Sequence, residues 1–136
     1  MKERATIVCW QRGGILLVER GRSRWSLPGG TIRREESPAD AAARELTEET
    51  TLEGYELGYL FQFGGLNKRH HVFFSVLPDE ARPVPSNEIL KCRWFRPRQV
   101  STLVTSVPTR EIVNLLFDRE LTQLAEVASV RPELRP

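Results

Sequence analysis

Short apolar runs, each closed by glycine, proline or a charged cluster, divide the chain into strands and two long helical stretches. Residues 5–10 (ATIVCW) and 15–20 (ILLVER) are rich in β-formers and flank Gly13-Gly14, which predicts a β-hairpin. Residues 26–32 (SLPGGTI) read as a short extended piece broken by Pro28, Gly29 and Gly30. Two further strands are expected at 55–63 and 70–77, joined by GGLNKR, and another at 90–95 after a polar, proline-containing loop. Residues 97–103 suit a helical turn or short helix. Residues 108–128 have Ile112, Leu115, Leu116, Leu121 and Leu124 at helical spacing, with Pro108 near the start, and predict an amphipathic helix. The last residues, RPELRP, read as a frayed tail.

The other helix is predicted in SPADAAARELTEET, residues 37–50. Ser37 suits the N-cap, Pro38 the first helical position, and Asp40 the electropositive first turn. At about 100° per residue, Ala39, Ala42, Ala43, Leu46 and Thr50 share one arc of about 100°, a face for packing on a sheet. Glu45, Glu48 and Glu49 fall on the adjacent arc, with Arg44 beside Glu48 at its edge. The order of strands, helix, strands and helix argues for an α+β fold, with a mixed sheet between helices in α/β/α layers and all 136 residues in one domain.

Composition narrows the function little. The content of apolar and charged residues is that of an ordinary globular chain, and a net charge of +2 makes nucleic acid an unlikely partner. Arg20, Arg22, Arg24, Arg33 and Arg34 form a local basic rim that suits an anionic small molecule. Cys9 and Cys92 are too few for a disulfide framework and read as buried thiols. No apolar run matches a signal peptide or membrane span, so a cytoplasmic protein without membrane partners, monomeric or homodimeric, is expected.

Three crowded carboxylates on one helix face repel by a few tenths of a kcal/mol per pair. A solvated acidic face is the ordinary reading of ELTEE alone. Hard oxygen donors at this density also suit Mg²⁺ or Mn²⁺, whose binding turns repulsion into coordination. Gly29-Gly30 permits a close backbone approach that aims a carbonyl at a metal or amides at a phosphate.

The stretch from Gly29 to Leu52 resembles the Nudix box, G-x5-E-x7-R-E-U-x-E-E-x-G-U, where U is a bulky aliphatic residue. Gly30, Glu36, Arg44, Glu45, Leu46, Glu48, Glu49 and Leu52 match in register, and WSLPGG is similar to the family's lead-in. Thr51 departs from the pattern, standing where a glycine usually ends the helix. The resemblance implies the Nudix fold and an Mg²⁺-dependent hydrolase that cleaves a nucleoside diphosphate linked to another moiety. By position it implies Glu45, Glu48 and Glu49 as metal ligands, the Gly29 carbonyl as a further ligand, Glu36 as a direct or water-mediated one, and Arg44 as the group that orients the glutamates.

Glu48 or Glu49 is then a candidate general base, with Glu88 the candidate off the helix. Arg20 is the candidate for phosphate contact and His70 a weaker one for substrate. His70 and His71 are adjacent, so on a strand they face opposite ways. Trp25, Trp94 and Phe95 read as core rather than base-stacking platforms. Nucleoside triphosphate pyrophosphohydrolysis is the leading activity. ADP-ribose, dinucleoside polyphosphates and nucleotide sugars are alternative substrates, and a non-catalytic nucleotide-sensing domain is the alternative class. Isomerisation of an isoprenoid diphosphate would need a reactive cysteine, and neither Cys9 nor Cys92 sits in a recognisable motif for one. Removing Glu48 or Glu49 is expected to cost rate and little folding.

Overall fold

The two apolar runs near the N-terminus are buried on both faces, and this decides the layering. In β1 (Lys2–Gln11), Ala5, Ile7 and Cys9 point into one core and Val8 into another. In β2 (Gly14–Glu19), Leu16 joins the first core, while Ile15 and Leu17 join the second. Such two-sided burial produces continuous apolar runs in place of strict alternation. The computed structural model describes residues 1–65 and 67–116.

The remaining elements are β3 (Trp25–Ser26), β4 (Gly29–Thr31), α1 (Pro38–Thr50), β5 (Gly58–Gly64), β6 (Lys68–Val76), β7 (Lys91–Phe95), α2 (Pro97–Val100) and α3 (Val107–Leu115). Helix α1 packs on the first core through Ala41, Ala42 and Leu46. On the opposite face α2 and α3 supply Val100, Ile112 and Val113 to the second. The expected α+β fold with a mixed sheet between helices is therefore present.

The sheet runs β3-β2-β1-β6-β5, with β1 and β6 parallel and the other pairs antiparallel. β1 pairs with β2 only at Trp10↔Ile15 and Gln11↔Gly14. Farther toward its N-terminus, β4 takes the place of β2, pairing Thr6↔Gly29, Ala5↔Gly30 and Arg4↔Thr31. Between these contacts Ile7 N–H donates to the Pro28 carbonyl at 2.9 Å. This divergence leaves β2 free to pair with β7 along Ile15–Glu19 and brings the glycine pair beside α1.

Several sequence expectations are shifted. The β1–β2 turn is Arg12-Gly13, both at positive φ, as a two-residue hairpin of the primed type requires, and Gly14 already belongs to β2. β5 begins three residues later than expected, and β6 starts at Lys68. Leu115 is exposed although it fits the helical apolar spacing, while Ile112, Val113 and Leu116 are buried. The rest of the helix expected through residue 128, with Leu121 and Leu124, lies outside the described residues. Trp25 is core: it is buried edge-on against Phe95, with ring centroids 5.0 Å apart.

The packing face of α1 is also rotated. Ala39 and Ala43 are exposed, whereas Ala41, Ala42, Leu46, Glu49 and Thr50 are buried. The buried arc is centred near Ala42 and Glu49, about 60° toward the glutamates from the expected one. Apolarity alone misplaces it, because Glu49 goes inside and takes the helix with it.

The N-terminal cap follows the sequence. Ser37 Oγ accepts from Asp40 N–H at 3.0 Å, and Pro38 occupies the first turn. At the other end Thr51 adopts φ 62° and ψ 2°, the left-handed conformation, and donates its N–H to Thr47 O. A β-branched residue carries a cost of roughly 1–2 kcal/mol in that conformation. Glycine removes this cost but loses more entropy on folding, by roughly 0.5–1 kcal/mol. Thr51→Gly should therefore stabilise the protein by about 0.5–1 kcal/mol in urea denaturation. An unchanged or lower midpoint would show that Thr51 is not strained.

Candidate functional site

The C-terminal half of α1 faces a cleft of about 380 Å³. Strand β4 forms one wall with Gly29, Gly30 and Thr31, and Arg4, Arg20 and Arg33 contribute cationic side chains. Asn87 and Glu88 close the far rim. Their loop is laid across the end of α1 by two backbone bonds: Val84 N–H to Thr50 O at 2.8 Å and Ser86 N–H to Glu49 O at 3.1 Å. Thus Glu88, distant in sequence, meets the acids of α1 in the same cleft.

Arg44 organises one half of the acids. Its Nε donates to Glu36 Oε2 at 2.7 Å and its Nη2 to Glu36 Oε1 at 3.0 Å, a two-pronged pair. Its Nη1 donates to Glu45 Oε1 at 2.8 Å and Glu48 Oε1 at 3.0 Å, and Nη2 reaches Thr31 O at 3.1 Å. These bonds raise the Arg44 pKa above its ordinary value, Glu36 contributing most. Glu36 also accepts from Arg33 N–H at 2.9 Å. Arg44 first and this backbone bond second bring its carboxyl down to about 2.

Glu49 anchors the other half. It is only 3% exposed. Oε1 accepts from Gly29 N–H at 3.1 Å, and Oε2 is paired with Arg20 Nη2. The same Nη2 donates to the Gly29 carbonyl at 3.2 Å, and Arg20 Nη1 donates to Ser26 Oγ at 2.8 Å. Burial raises the Glu49 pKa, opposed by the Arg20 charge and the Gly29 amide and reinforced by Glu45. The expectation that Glu48 and Glu49 are equally dispensable to folding is corrected here. Glu48 is half-exposed, whereas truncating Glu49 strips a partner from a buried amide and a guanidinium.

The glycine pair is required by space. A Cβ on Gly29 would lie 2.2 Å from the Ala5 carbonyl oxygen, and one on Gly30 would lie 2.4 Å from the Glu45 carboxylate. β4 therefore approaches β1 on one side and the acids of α1 on the other.

Of the residues singled out from sequence, Arg20, Gly29, Arg44, Glu45, Glu48, Glu49 and Glu88 line the cleft, and Glu36 is tied to it through Arg44. His70 is not among the lining residues. It lies against Thr6, with Thr6 Oγ1 and His70 Nδ1 2.9 Å apart, and its ring meets Phe63. Burial, then Arg4 and Lys68, lower its pKa to about 4, so it is neutral near pH 7. His71 faces the other way, with Nε2 2.7 Å from Glu3 Oε1. Arg22, Arg24 and Arg34 of the expected basic rim do not line the cleft.

Arg4 was not singled out from the sequence. It stands opposite Thr31 in β1, and burial, then Arg20, lower its pKa. Nothing local marks it, since only the β1–β4 pairing brings it to the site. Burial pushes the Cys9 thiol up to about 12; Cys92, expected to be buried, is only half-buried, and burial first and Glu49 second push its thiol up to about 11.

The donor set fits a hard divalent cation: three glutamates of one helix and the Gly29 carbonyl, all oxygen. As the side chains stand, no three acidic, His or Cys groups among the described residues converge at metal-ligand spacing. Arg44 and Arg20 supply the positive charge in their midst.

A NUDIX domain family model matches residues 1–116. The chain belongs to the NUDIX family. The resemblance carried by the box is thereby borne out. Diphosphoinositol polyphosphate phosphohydrolase 2 of Rattus norvegicus is 38% identical over 82 residues, covering 56% of this chain and 45% of that protein. A CMP-5'-(N-acetyl-N-hydroxy-3-aminopropyl)phosphonate hydrolase of Streptomyces rubellomurinus is 30% identical over 87 residues, covering 60% and 42%. The chain spans about half the length of the curated relatives it matches. A crystal structure of a nudix hydrolase family member from Chromobacterium violaceum superposes with a TM-score of 0.76 at 27% identity, covering 99% of this chain and 97% of that one. The expected class, a Nudix pyrophosphohydrolase, agrees with these hydrolase names.

Two outcomes follow from the geometry. Gly29→Ala should destabilise the fold by roughly 3 kcal/mol, because backbone must move. Gly30→Ala should cost less, because the Glu45 carboxylate can turn aside; equal losses would refute the distinction. Glu36 has a depressed folded-state pKa, so its stabilisation is complete above its ordinary value of 4.5 and is lost as pH falls toward about 2. In chelator-treated protein, the urea-midpoint gap between wild type and Glu36→Gln should therefore be widest above pH 4.5 and close on acidification. A gap independent of pH would contradict the pairing with Arg44.

Proposed function

We propose that this cleft hydrolyses a diphosphate linkage with the help of one or more divalent cations, Mg²⁺ or Mn²⁺. The observation that carries the reading is the charge balance of the lining. Four arginines face four glutamates, so the wall is formally neutral, with three of its carboxylates on one helix. A diphosphate needs positive charge beyond what such a wall offers, and the glutamates of α1 offer hard oxygen donors to a cation that would supply it.

In this reading Glu45, Glu48, Glu49 and the Gly29 carbonyl hold the cation. When bound, it neutralises the substrate and acidifies the attacking water. Arg44 keeps Glu45 and Glu48 turned toward the cleft, and Glu36 fixes the plane of Arg44. Arg4, Arg20 and Arg33 receive the phosphates. Glu88 is the preferred general base: among the described residues it makes no ion pair, while Glu48 and Glu49 are committed to arginines. Its exposed carboxylate can take a proton from water across the cleft as the P–O–P bond breaks.

A nucleoside triphosphate is the leading substrate. ADP-ribose, dinucleoside polyphosphates and nucleotide sugars fit the same chemistry. A second reading is favoured by what the lining contains: no aromatic or aliphatic side chain among the described residues that form it. Such a cleft binds phosphates and presents no apolar face to a base. A diphosphate carried on a highly phosphorylated polyol, the substrate named for the rat relative, satisfies it equally.

A panel of nucleoside triphosphates, ADP-ribose, diadenosine polyphosphates and diphosphoinositol polyphosphate, assayed with Mg²⁺ for phosphate and pyrophosphate release, separates these readings. Turnover of at least one compound is expected. Glu48→Gln and Glu88→Gln should each lower kcat by about 100-fold or more, and only Glu48→Gln should also weaken Mn²⁺ binding. Absence of turnover on every diphosphate would favour the nucleotide-sensing alternative. Full activity in Glu88→Gln would return the base to α1.

A further inference from the structure

Arg44, Arg20 and Arg33 pair with the acids of the cleft, and the first two are held very differently. Arg44 makes five side-chain hydrogen bonds, to three glutamates and the Thr31 carbonyl, and stays largely buried. Arg20 makes three and is 34% exposed. It sits just past the end of β2, and Arg4 lies close enough to repel it.

What distinguishes Arg20 is where its charge sits. One nitrogen, Nη2, touches both the Gly29 carbonyl and Glu49 Oε2. Those are two of the oxygens assigned above to the divalent cation. A guanidinium and a metal ion cannot both occupy the space between them. Meanwhile Glu49 Oε1 is pinned by the Gly29 amide, so the two oxygens remain together whichever cation lies between.

We propose that Arg20 is a displaceable internal cation. In the metal-free protein it holds the Glu49–Gly29 pair assembled. When a divalent ion takes those oxygens, Arg20 is released into the cleft, where its charge meets the substrate phosphate. Cation entry and phosphate capture are then coupled through one side chain, and the buried carboxylate is never left without a counter-charge. This rests on the reading of the cleft as a cation site.

The test is Mn²⁺ binding, followed by the electron paramagnetic resonance of the free ion, with no nucleotide present. Wild type is compared with Arg20→Gln, Arg20→Lys and Arg4→Gln. Arg20→Gln removes the competitor and should bind Mn²⁺ about tenfold more tightly than wild type. Arg20→Lys, which keeps the charge without the planar fork, should fall between them. Arg4→Gln removes a nearby charge that does not touch Glu49, and should change affinity less than threefold. The metal-free Arg20→Gln protein should also melt below wild type, and saturating Mn²⁺ should raise its Tm more. Should Arg20→Gln fail to fold, the wild-type Arg20 Nε–H resonance, assigned through Arg20→Lys, should move on Mg²⁺ addition with the midpoint of ion binding.

Equal affinity in wild type and Arg20→Gln, an equal gain in Arg4→Gln, or an Arg20 resonance unmoved by Mg²⁺ would overturn the displacement while leaving the cation site intact. No Mn²⁺ binding by any of the proteins would overturn the cation site itself, and the displacement with it.

Discussion

A buried carboxylate beside a glycine amide sets the geometry of this protein. Glu49 points into the sheet from the last turn of α1, meets the Gly29 N–H and draws in Arg20. Burying an ionised group costs several kcal/mol unless it is paired and hydrogen-bonded. That cost constrains everything nearby. β4 must lie close enough to α1 to offer its amide, which only a residue without a Cβ permits against Ala5, and α1 must be turned so that Glu49 faces inward. The remaining acids, Glu45 and Glu48, are thereby brought to the mouth of the cleft, where Arg44 gathers them with Glu36.

The splitting of β1 between β2 and β4 makes room for this arrangement. β2 leaves β1 after two pairs, and the glycine strand fills the vacated edge. Arg20 is carried away from β1 on one branch and Gly29 lies along β1 on the other, yet their atoms meet at Glu49. Residues far apart in the chain, Arg4, Arg20, Glu49 and Glu88, become neighbours of one cleft without any of them belonging to a common local motif.

Much of this was legible in the sequence. The Nudix box placed the glycines, the arginine and the acids in register, and the cap at Ser37 followed from local chemistry, whereas Thr51 takes the left-handed position that the pattern reserves for glycine. Apolar runs located the strands because burial on both faces demands them. The phase of α1 was not legible: hydrophobic periodicity assigns a glutamate to the outside, and tertiary hydrogen bonds took Glu49 inside. Arg4 was invisible because its position depends on long-range strand pairing. His70 was drawn toward the site by its chemistry, whereas the sheet lodges it against Thr6 and Phe63. Local rules thus specified the elements, the acid cluster and Arg44, while the meeting of Arg4 and Arg20 with that cluster was set by topology.

The central claim is that the charge now supplied among these acids by guanidinium groups can be supplied by a divalent ion. Anomalous diffraction from crystals grown with Mn²⁺ tests this most directly. The account predicts a peak bounded by Glu45, Glu48, Glu49 and the Gly29 carbonyl, with the Arg20 side chain turned off Glu49. A map without that peak, with Arg20 still lying across Gly29 and Glu49 at saturating Mn²⁺, would contradict it.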